Sequence, residues 1–308
     1  NEMSDLEDMG YLVQPHTSSG RIPTDKAYRY YVDDLWRKVK TSKNPNLDQL
    51  REIIEDKSSE LDEIFKNSVR ILSQFTKYTS FVVAPQFKQS VIKRIQLVPV
   101  SENKVLMLII LQTNIVKQVM LRLSRPIPYS QLEKISESLS EKMYGQKLED
   151  IDKIKDCLIK ELYYTRESNN DSLMELLPYL MEQIAKFEDV NVFSDGITNI
   201  LELPEYNDVV KAREFISFVE DKTSVAKLLQ YNGEKDLDIY IGNENKSREL
   251  KDCSLITATY KFNGKLIGRI GVIGPTRMDY NNVISTVKSI SDAINEIISL
   301  NFNGENKE

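Results

Sequence analysis

Six consecutive residues carry the chemistry most open to interpretation. After His16 come the hydroxyls of Thr17, Ser18 and Ser19, then the unshielded backbone N–H of Gly20 and the guanidinium of Arg21, with no acid among them. Such a donor set serves phosphate oxygens and the edge of a minor groove. A Ser/Gly cluster also makes a solvated hairpin tip, and taken alone these residues favour that plainer reading.

The flanking segments must position the run. Met3, Leu6 and Met9 recur at helical spacing in an acidic stretch, and Gly10 supplies the stop favoured at a helix C-terminus. Tyr11-Leu12-Val13 is a short β-prone run, and Arg21-Ile22-Pro23 returns as a second extended piece beyond the polar turn. Pro23 biases Ile22 toward extended geometry, and Thr24 or Asp25 can cap a new helix with Tyr28, Tyr31, Leu35 and Val39 on one face. Helix, strand, turn, strand, helix is the order of a winged helix.

Composition bounds the rest. With 308 residues, 41% hydrophobic and 29% charged, the chain has the profile of a soluble protein of two or three domains. No apolar run approaches the roughly 20 residues that span a bilayer, the longest being Val105 to Leu111, and no segment reads as a signal peptide, so the cytoplasm is the expected compartment and no membrane partner is expected. Two cysteines, Cys157 and Cys253, and one histidine exclude a structural zinc site by spacing and read as two buried thiols. A net charge of −6 argues against a general nucleic-acid coat. Locally the balance inverts: from Arg21 to Lys40 the bases Arg21, Lys26, Arg29, Arg37, Lys38 and Lys40 outnumber Asp25, Asp33 and Asp34. The preceding acids Glu2, Asp5, Glu7 and Asp8 are expected to face away from phosphate, leaving the hairpin and the following helix as the electrostatic footprint.

No catalyst emerges. His16, the sole histidine, lies in the hairpin, which removes Ser-His-Asp and Cys-His schemes. There is no phosphate-binding GxxxxGK[ST] loop, and Gly268, Gly271 and Gly274 lack the spacing and context of a dinucleotide site; close packing or a bulge in the last strand suits them better. No cofactor or metal is expected. Gly274-Pro275-Thr276-Arg277-Met278-Asp279-Tyr280 reads as a strand-to-helix turn with Asp279 as N-cap and Arg277 ion-paired within the domain; its rival is a partner surface with Arg277 as an exposed cation.

Periodicity orders the remainder. A long amphipathic helix runs through Leu47, Leu50, Ile54, Leu61, Ile64, Val69, Leu72 and Phe75. Strands at Phe81–Ala84, Ile95–Val100, Val105–Thr113 and Val116–Leu123 read as one antiparallel meander ended by Pro126 and Pro128. Helical stripes follow at Leu132, Ile135, Leu139 and Met143, at Ile151 to Leu162, and at Leu176 to Phe187. Short strands at Val190–Phe193 and Ile197–Leu203, a helix near Val209–Val219, a strand at Leu237–Ile241 and a hairpin of Leu255–Phe262 with Lys265–Ile273 about Asn263-Gly264 come next. A closing helix aligns Val283, Val287, Ile290, Ile294 and Ile297. Strands, helices, then strands again is the pattern of an insertion into an α+β domain.

Glu2-Met3-Ser4-Asp5-Leu6-Glu7, Gly10-Tyr11-Leu12 and Gln14-Pro15-His16-Thr17-Ser18-Ser19-Gly20-Arg21-Ile22-Pro23-Thr24 closely resemble the HrcA family of bacterial heat-inducible transcription repressors. A second match lies far off at Gly271 to Tyr280, and the pattern between is compatible along the whole chain. The resemblance implies an α+β protein with a partial winged helix over 1–40, a helical connector over 41–75, a GAF-like domain over 76–126 and 207–303, and an inserted dimerisation domain over 127–206. It implies that the chain begins within the recognition helix, so that Asn1 joins His16, Thr17, Ser18, Ser19, Gly20 and Arg21 as DNA-binding residues, and that the chain as written binds DNA weakly. It further implies a homodimer on double-stranded DNA, the inverted-repeat CIRCE operator of chaperone genes, with activity modulated by the GroE chaperonin. The rival function is a GAF-type regulator that senses a small metabolite, for which no residue constellation speaks.

Overall fold

The computed structural model describes residues 2–16, 19–39, 54, 61–84, 90–112, 116–150, 176, 178–180, 182, 191–230, 235–262 and 265–303. Asn1, Thr17 and Ser18, the helical stripes expected at 151–162 and through most of 176–187, Cys157 and the Asn263-Gly264 turn lie outside them. The described residues form two compact units, one from within 1–85 and 190–303, the other from within 86–189.

The first unit begins with α1 (Glu2–Asp8), β1 (Leu12–Val13), β2 (Ile22–Pro23) and α2 (Asp25–Val39), followed by α3 (Leu61–Thr76) and β3 (Thr79–Val83). It resumes with β7 (Val192–Asp195), α5 (Val209–Glu220), α6 (Lys222–Gln230), β8 (Leu237–Ile241), β9 (Cys253–Phe262), β10 (Lys265–Pro275) and α7 (Tyr280–Asn303). The intervening second unit holds β4 (Ile92–Ser101), β5 (Lys104–Leu111), β6 (Val116–Arg122) and α4 (Tyr129–Met143).

Five strands of the first unit pair antiparallel in the order β7-β3-β10-β9-β8. Side chains alternate between faces, so the register Val82↔Ile270, Val272↔Ile256 and Ile256↔Ile239 stacks one apolar layer. Onto that layer pack Ile64, Phe65, Val69 and Leu72 of α3 and the α7 stripe Val283, Val287, Ile290, Ile294 and Ile297. Every member of the expected α7 stripe is fully buried. The opposite face carries Phe81, Val83, Leu255 and Ile273 against Phe215, Val219, Val225 and Leu229 of α5 and α6. Fully burying one such side chain stabilises by about 1.5–3 kcal/mol.

Gly268 sits at a register shift between Leu266 and Gly268, where a Cβ would fall 2.1 Å from the Tyr260 hydroxyl oxygen. Both reasons expected for that glycine, a bulge and close packing, hold there. At Gly274 a Cβ would meet Met278 and Tyr78 at 2.9 Å, so close packing is the reason that holds there.

Three expectations are corrected. Ile197–Glu202 is a 3-10 turn, not a strand, because Gly196 enters it at φ +70 and the Asn199 N–H closes onto Gly196 O at 3.1 Å. On α2 the buried face runs through Val32, with Tyr28, Leu35 and Trp36 half-buried against the core, while Tyr31 is exposed; a 3.6-residue period selects Val32 over Tyr31. Strands 92–122 do not continue the β3 sheet. β3 has both neighbours filled by β10 and β7, and β4-β5-β6 form a separate meander within the second unit.

In that second unit Val105, Met107, Ile109 and Leu111 of β5 are buried, and so are Leu132, Ile135, Leu139 and Met143 of α4, the stripe expected from the sequence. Helix α4 also closes the outer edge of β4: the N–H of Ile95 donates to Ser140 Oγ at 2.9 Å and that of Leu97 to Ser136 Oγ at 2.7 Å. Two helix hydroxyls thus take the place of a neighbouring strand, one way of blunting an exposed edge.

Candidate nucleic-acid interface

A glycine-dependent stop sets the geometry of the hairpin. Gly10 adopts φ +74, its N–H donates to Glu7 O at 2.8 Å, and the Tyr11 N–H reaches back to Leu6 O at 2.9 Å. These are the two bonds of a Schellman motif, which ends α1 and turns the chain into β1. β1 and β2 then pair as Leu12↔Pro23 and Val13↔Ile22. Thr24 closes the ladder: its N–H donates to Tyr11 O at 3.0 Å and its hydroxyl to Gly10 O at 2.7 Å. Lys26 adds a bond to Met9 O at 2.7 Å, and its ammonium lies 4.5 Å from the Tyr11 ring centroid, a cation–π arrangement. Being at the C-terminal end of α1, that cation also faces the negative pole of the helix dipole.

The described residues on either side of the tip bond to one another. Ser19 Oγ donates to His16 O at 2.8 Å and accepts from His16 N–H at 3.0 Å, the Ser19 N–H donates to His16 O at 2.9 Å, and Gln14 Nε2 braces Ser19 O at 2.9 Å. The Ser19 hydroxyl is therefore committed within the turn, leaving the exposed His16, Gly20 and Arg21 to face outward among the described residues of the expected set. A Cβ at Gly20 would meet nothing within 4 Å, so its backbone stands open to a ligand.

Charges are arranged differently from the sequence expectation. Arg21 Nε pairs with Glu7 Oε2 at 2.8 Å, each side chain one-third exposed, so one acid of α1 faces the hairpin instead of turning away. Such a surface pair is worth about 0–1 kcal/mol and exchanges readily for a phosphate. Arg29 is turned inward: Nε donates to Glu244 Oε1 at 2.8 Å and Nη2 to Ile239 O at 2.7 Å. Burial opposes its charge, but the Glu244 hydrogen bond and charge hold its pKa above the usual value. With Lys26 tethered to α1 and Arg29 to the sheet, the basic footprint among the described side chains contracts to Arg21 at the hairpin and the exposed Arg37 further along α2, the side chains of Lys38 and Lys40 lying outside them. Sequence reasoning named Glu7, Arg21, Lys26 and Arg29 as charges but missed how they pair, and it missed Glu244 as the partner of Arg29.

The 274–280 segment is the strand-to-helix turn expected. Asp279 Oδ1 accepts from the Asn282 N–H at 3.2 Å as the N-cap of α7, and the Met278 N–H closes onto Pro275 O at 3.0 Å. Arg277 Nη2 pairs with Glu205 Oε2 at 3.0 Å, yet it remains half-exposed, so the pair lies at the surface of the unit. Burial opposes the Glu205 charge, but the Arg277 hydrogen bond and charge together with a backbone hydrogen bond keep its carboxyl below the usual range.

These features define a class: an α+β protein that presents a wing-type hairpin with an outward cation, with its helices anchored on a buried antiparallel sheet. No helix among the described residues is long and apolar enough to cross a membrane. Comparison with known proteins makes the class specific. Residues 62–284 match the family model described as HrcA protein C terminal domain. The heat-inducible transcription repressor HrcA of Alkaliphilus metalliredigens is 38% identical over 300 residues, covering 97% of this chain and 86% of that relative. Its counterpart in Thermoanaerobacter pseudethanolicus is 38% identical over 306 residues, covering 99% and 87%. A crystal structure of a hypothetical protein, 21% identical, superposes with a TM-score of 0.69 over 98% of this chain and 86% of its own, which shows a shared fold. The chain belongs to the HrcA family of heat-inducible transcription repressors. Its role is transcriptional repression, not catalysis.

Proposed function

We propose that the protein is a cytoplasmic repressor of heat-shock chaperone operons that binds the inverted-repeat CIRCE operator as a homodimer. In this reading residues 1–40 supply the DNA-binding end, with the hairpin as a wing that lays Gly20 and Arg21 on phosphate and the adjacent groove edge. The five-stranded sheet unit is the GAF-like body, and the inserted second unit provides dimerisation. Two-fold symmetry matches a palindrome, and linking two weak half-site contacts raises effective concentration. The GroE chaperonin maintains the active form; when heat-unfolded proteins occupy it, active repressor declines and the genes are expressed. Such a switch needs only marginal stability, so that a modest temperature rise shifts the folded population.

The observation that supports this reading best is the hairpin itself: held by Thr24 and Lys26 at its base, it leaves Arg21 on a surface ion pair. Fluorescence-anisotropy titration of the full-length protein tests it, comparing an inverted-repeat duplex with one in which a single half-site is scrambled. Tight binding that requires both half-sites is expected; equal affinity for the two duplexes would refute an operator read by a symmetric dimer.

A further inference from the structure

Helix α2 links two structures. Thr24 and Lys26 at its start hold Gly10, Tyr11 and Met9 of the hairpin. Other side chains of the same turns engage the 3-10 turn that follows β8. Asp25 Oδ2 accepts from the Asn243 N–H at 3.0 Å and from Asn243 Nδ2 at 3.1 Å. Arg29 grips both oxygens of Glu244 as well as Ile239 O. The Tyr28 ring lies 5.9 Å from that of Tyr280, whose hydroxyl is itself fixed between Ser254 Oγ at 2.6 Å and Thr276 O at 2.7 Å. The two segments that stand out in the sequence, the hairpin and 271–280, therefore meet through this one helix.

The receiving turn has hydrogen bonds of its own, apart from those to α2. Asn245 Nδ2 donates to Gly242 O, Leu250 O and Cys253 O at 2.8–3.0 Å, and Glu244 Oε2 accepts from the Ile241 N–H at 2.9 Å. Gly242 sits at φ +53, and a Cβ there would fall 2.2 Å from Asp25 Oδ2. Only glycine gives both the backbone conformation and the close approach of that carboxylate.

Adhesion does not require this seat. Val32, Leu35 and Trp36 already pack α2 onto the sheet core, and partly exposed ion pairs add little stability. What the polar contacts supply is direction, since charge-assisted hydrogen bonds are geometrically selective where apolar packing is not. They grip the N-terminal half of α2, the end that carries the hairpin. On a palindrome an error in direction counts twice, because both wings must fit half-sites about 34–36 Å apart.

We propose that the Gly242–Asn245 turn is a seat that sets the wing for operator binding, with Asp25, Arg29, Asn243 and Glu244 as positioning residues that touch no DNA. This rests on the DNA-binding reading above. The test uses the full-length protein. Asn243→Asp sets carboxylate against carboxylate, and the exchange Asp25→Asn with Asn243→Asp restores one donor and one acceptor facing each other. Trp36, the single tryptophan, reports whether α2 remains on the core. Asn243→Asp is expected to weaken operator binding about tenfold, the usual scale for a lost hydrogen bond to a charged group. Amide exchange over residues 10–16 and 19–24 in the absence of DNA quickens, while Trp36 emission and the melting temperature stay at the wild-type values; the double exchange returns affinity and amide exchange together. The proposal is overturned if Asn243→Asp leaves both unchanged, or if its affinity loss follows a fall in melting temperature and is not rescued. If Asn243→Asp does not fold, Glu244→Gln, which keeps an acceptor for the Ile241 N–H, takes its place with the same expected signs. Should the wild type bind no operator, the DNA reading fails, while amide exchange and its rescue still decide the seat.

Discussion

Glu7→Gln should tighten operator binding, although it removes a salt bridge. Glu7 holds Arg21 Nε at 2.8 Å in the free protein, and a wing engaging phosphate must break that pair. With each side chain one-third exposed, the pair is worth at most about 1 kcal/mol, so releasing Arg21 in advance gains up to about fivefold in affinity. Removing a negative charge beside the phosphates acts in the same direction and weakens as salt screens it. Arg21→Ala should loosen binding about equally on all sequences and reduce the slope of log K against log salt by about 0.9, one phosphate contact. In the double variant Glu7→Gln should retain only its screened charge effect, since the pair it competes with is gone. The assay is an anisotropy titration of full-length protein on a labelled operator from about 50 to about 200 mM salt, the range over which such contacts change affinity by orders of magnitude. Weaker binding by Glu7→Gln, or an unchanged salt slope for Arg21→Ala, would refute the assignment of Arg21 to phosphate.

Three stability predictions follow from local geometry. Gly10 and Gly196 both adopt φ near +70, yet a Cβ at Gly10 meets nothing while one at Gly196 would fall 2.1 Å from Ser73 Oγ and 2.9 Å from Tyr78 O. Gly10→Ala should therefore cost only the left-handed backbone term of about 1–2 kcal/mol and be eased by Asn, whereas Gly196→Ala adds overpacking of about 1–3 kcal/mol; urea unfolding curves of the two variants give the comparison, and equal midpoints would contradict it. Ser136→Ala with Ser140→Ala removes the hydroxyl acceptors of the Leu97 and Ile95 N–H groups, expected to cost about 1–3 kcal/mol for each donor left buried and to increase aggregation on heating, read by light scattering during a thermal scan. Burial, with the nearby Glu296 charge and against Lys288, raises the Asp292 carboxyl pKa. The folded state thus binds its proton more tightly than the unfolded one, so this residue's contribution worsens as pH rises from the unfolded pKa near 3.8 through the folded value. Asp292→Asn should raise the melting temperature at pH 7 and leave it unchanged near pH 3; an unchanged melting temperature at pH 7 would contradict that.

Legibility in the sequence followed the range of the interactions. The α7 stripe, the β9–β10 pairing and the Gly10 stop rest on neighbours within a few residues or on one unbroken period, and all were readable. Arg29 was read as part of a DNA footprint because Glu244 lies 215 positions away, and no local pattern indicates that a base on a polar helix face has an acid waiting across the fold. Strands β4 to β6 were readable as strands and as a meander, but alternation says only that a strand has an inner face, not which sheet it joins. Ile197–Leu203 shows how a short apolar run preceded by glycine fits a strand and a 3-10 turn equally well. The hairpin was legible in its element order and its donor residues could be named, but the Ser19 hydroxyl spent inside the turn and the Arg21–Glu7 pair are three-dimensional facts.

Hydroxyl-radical footprinting of the full-length protein on a chaperone promoter, with and without GroE chaperonin, tests the repressor reading most directly. Two-fold symmetric protection of both arms of the inverted repeat, deepened by chaperonin and lost at the wing-facing sugars in Arg21→Ala, is the predicted result. Protection absent from the repeat, confined to one arm, or unchanged by Arg21→Ala in chaperonin-supported protein would contradict it.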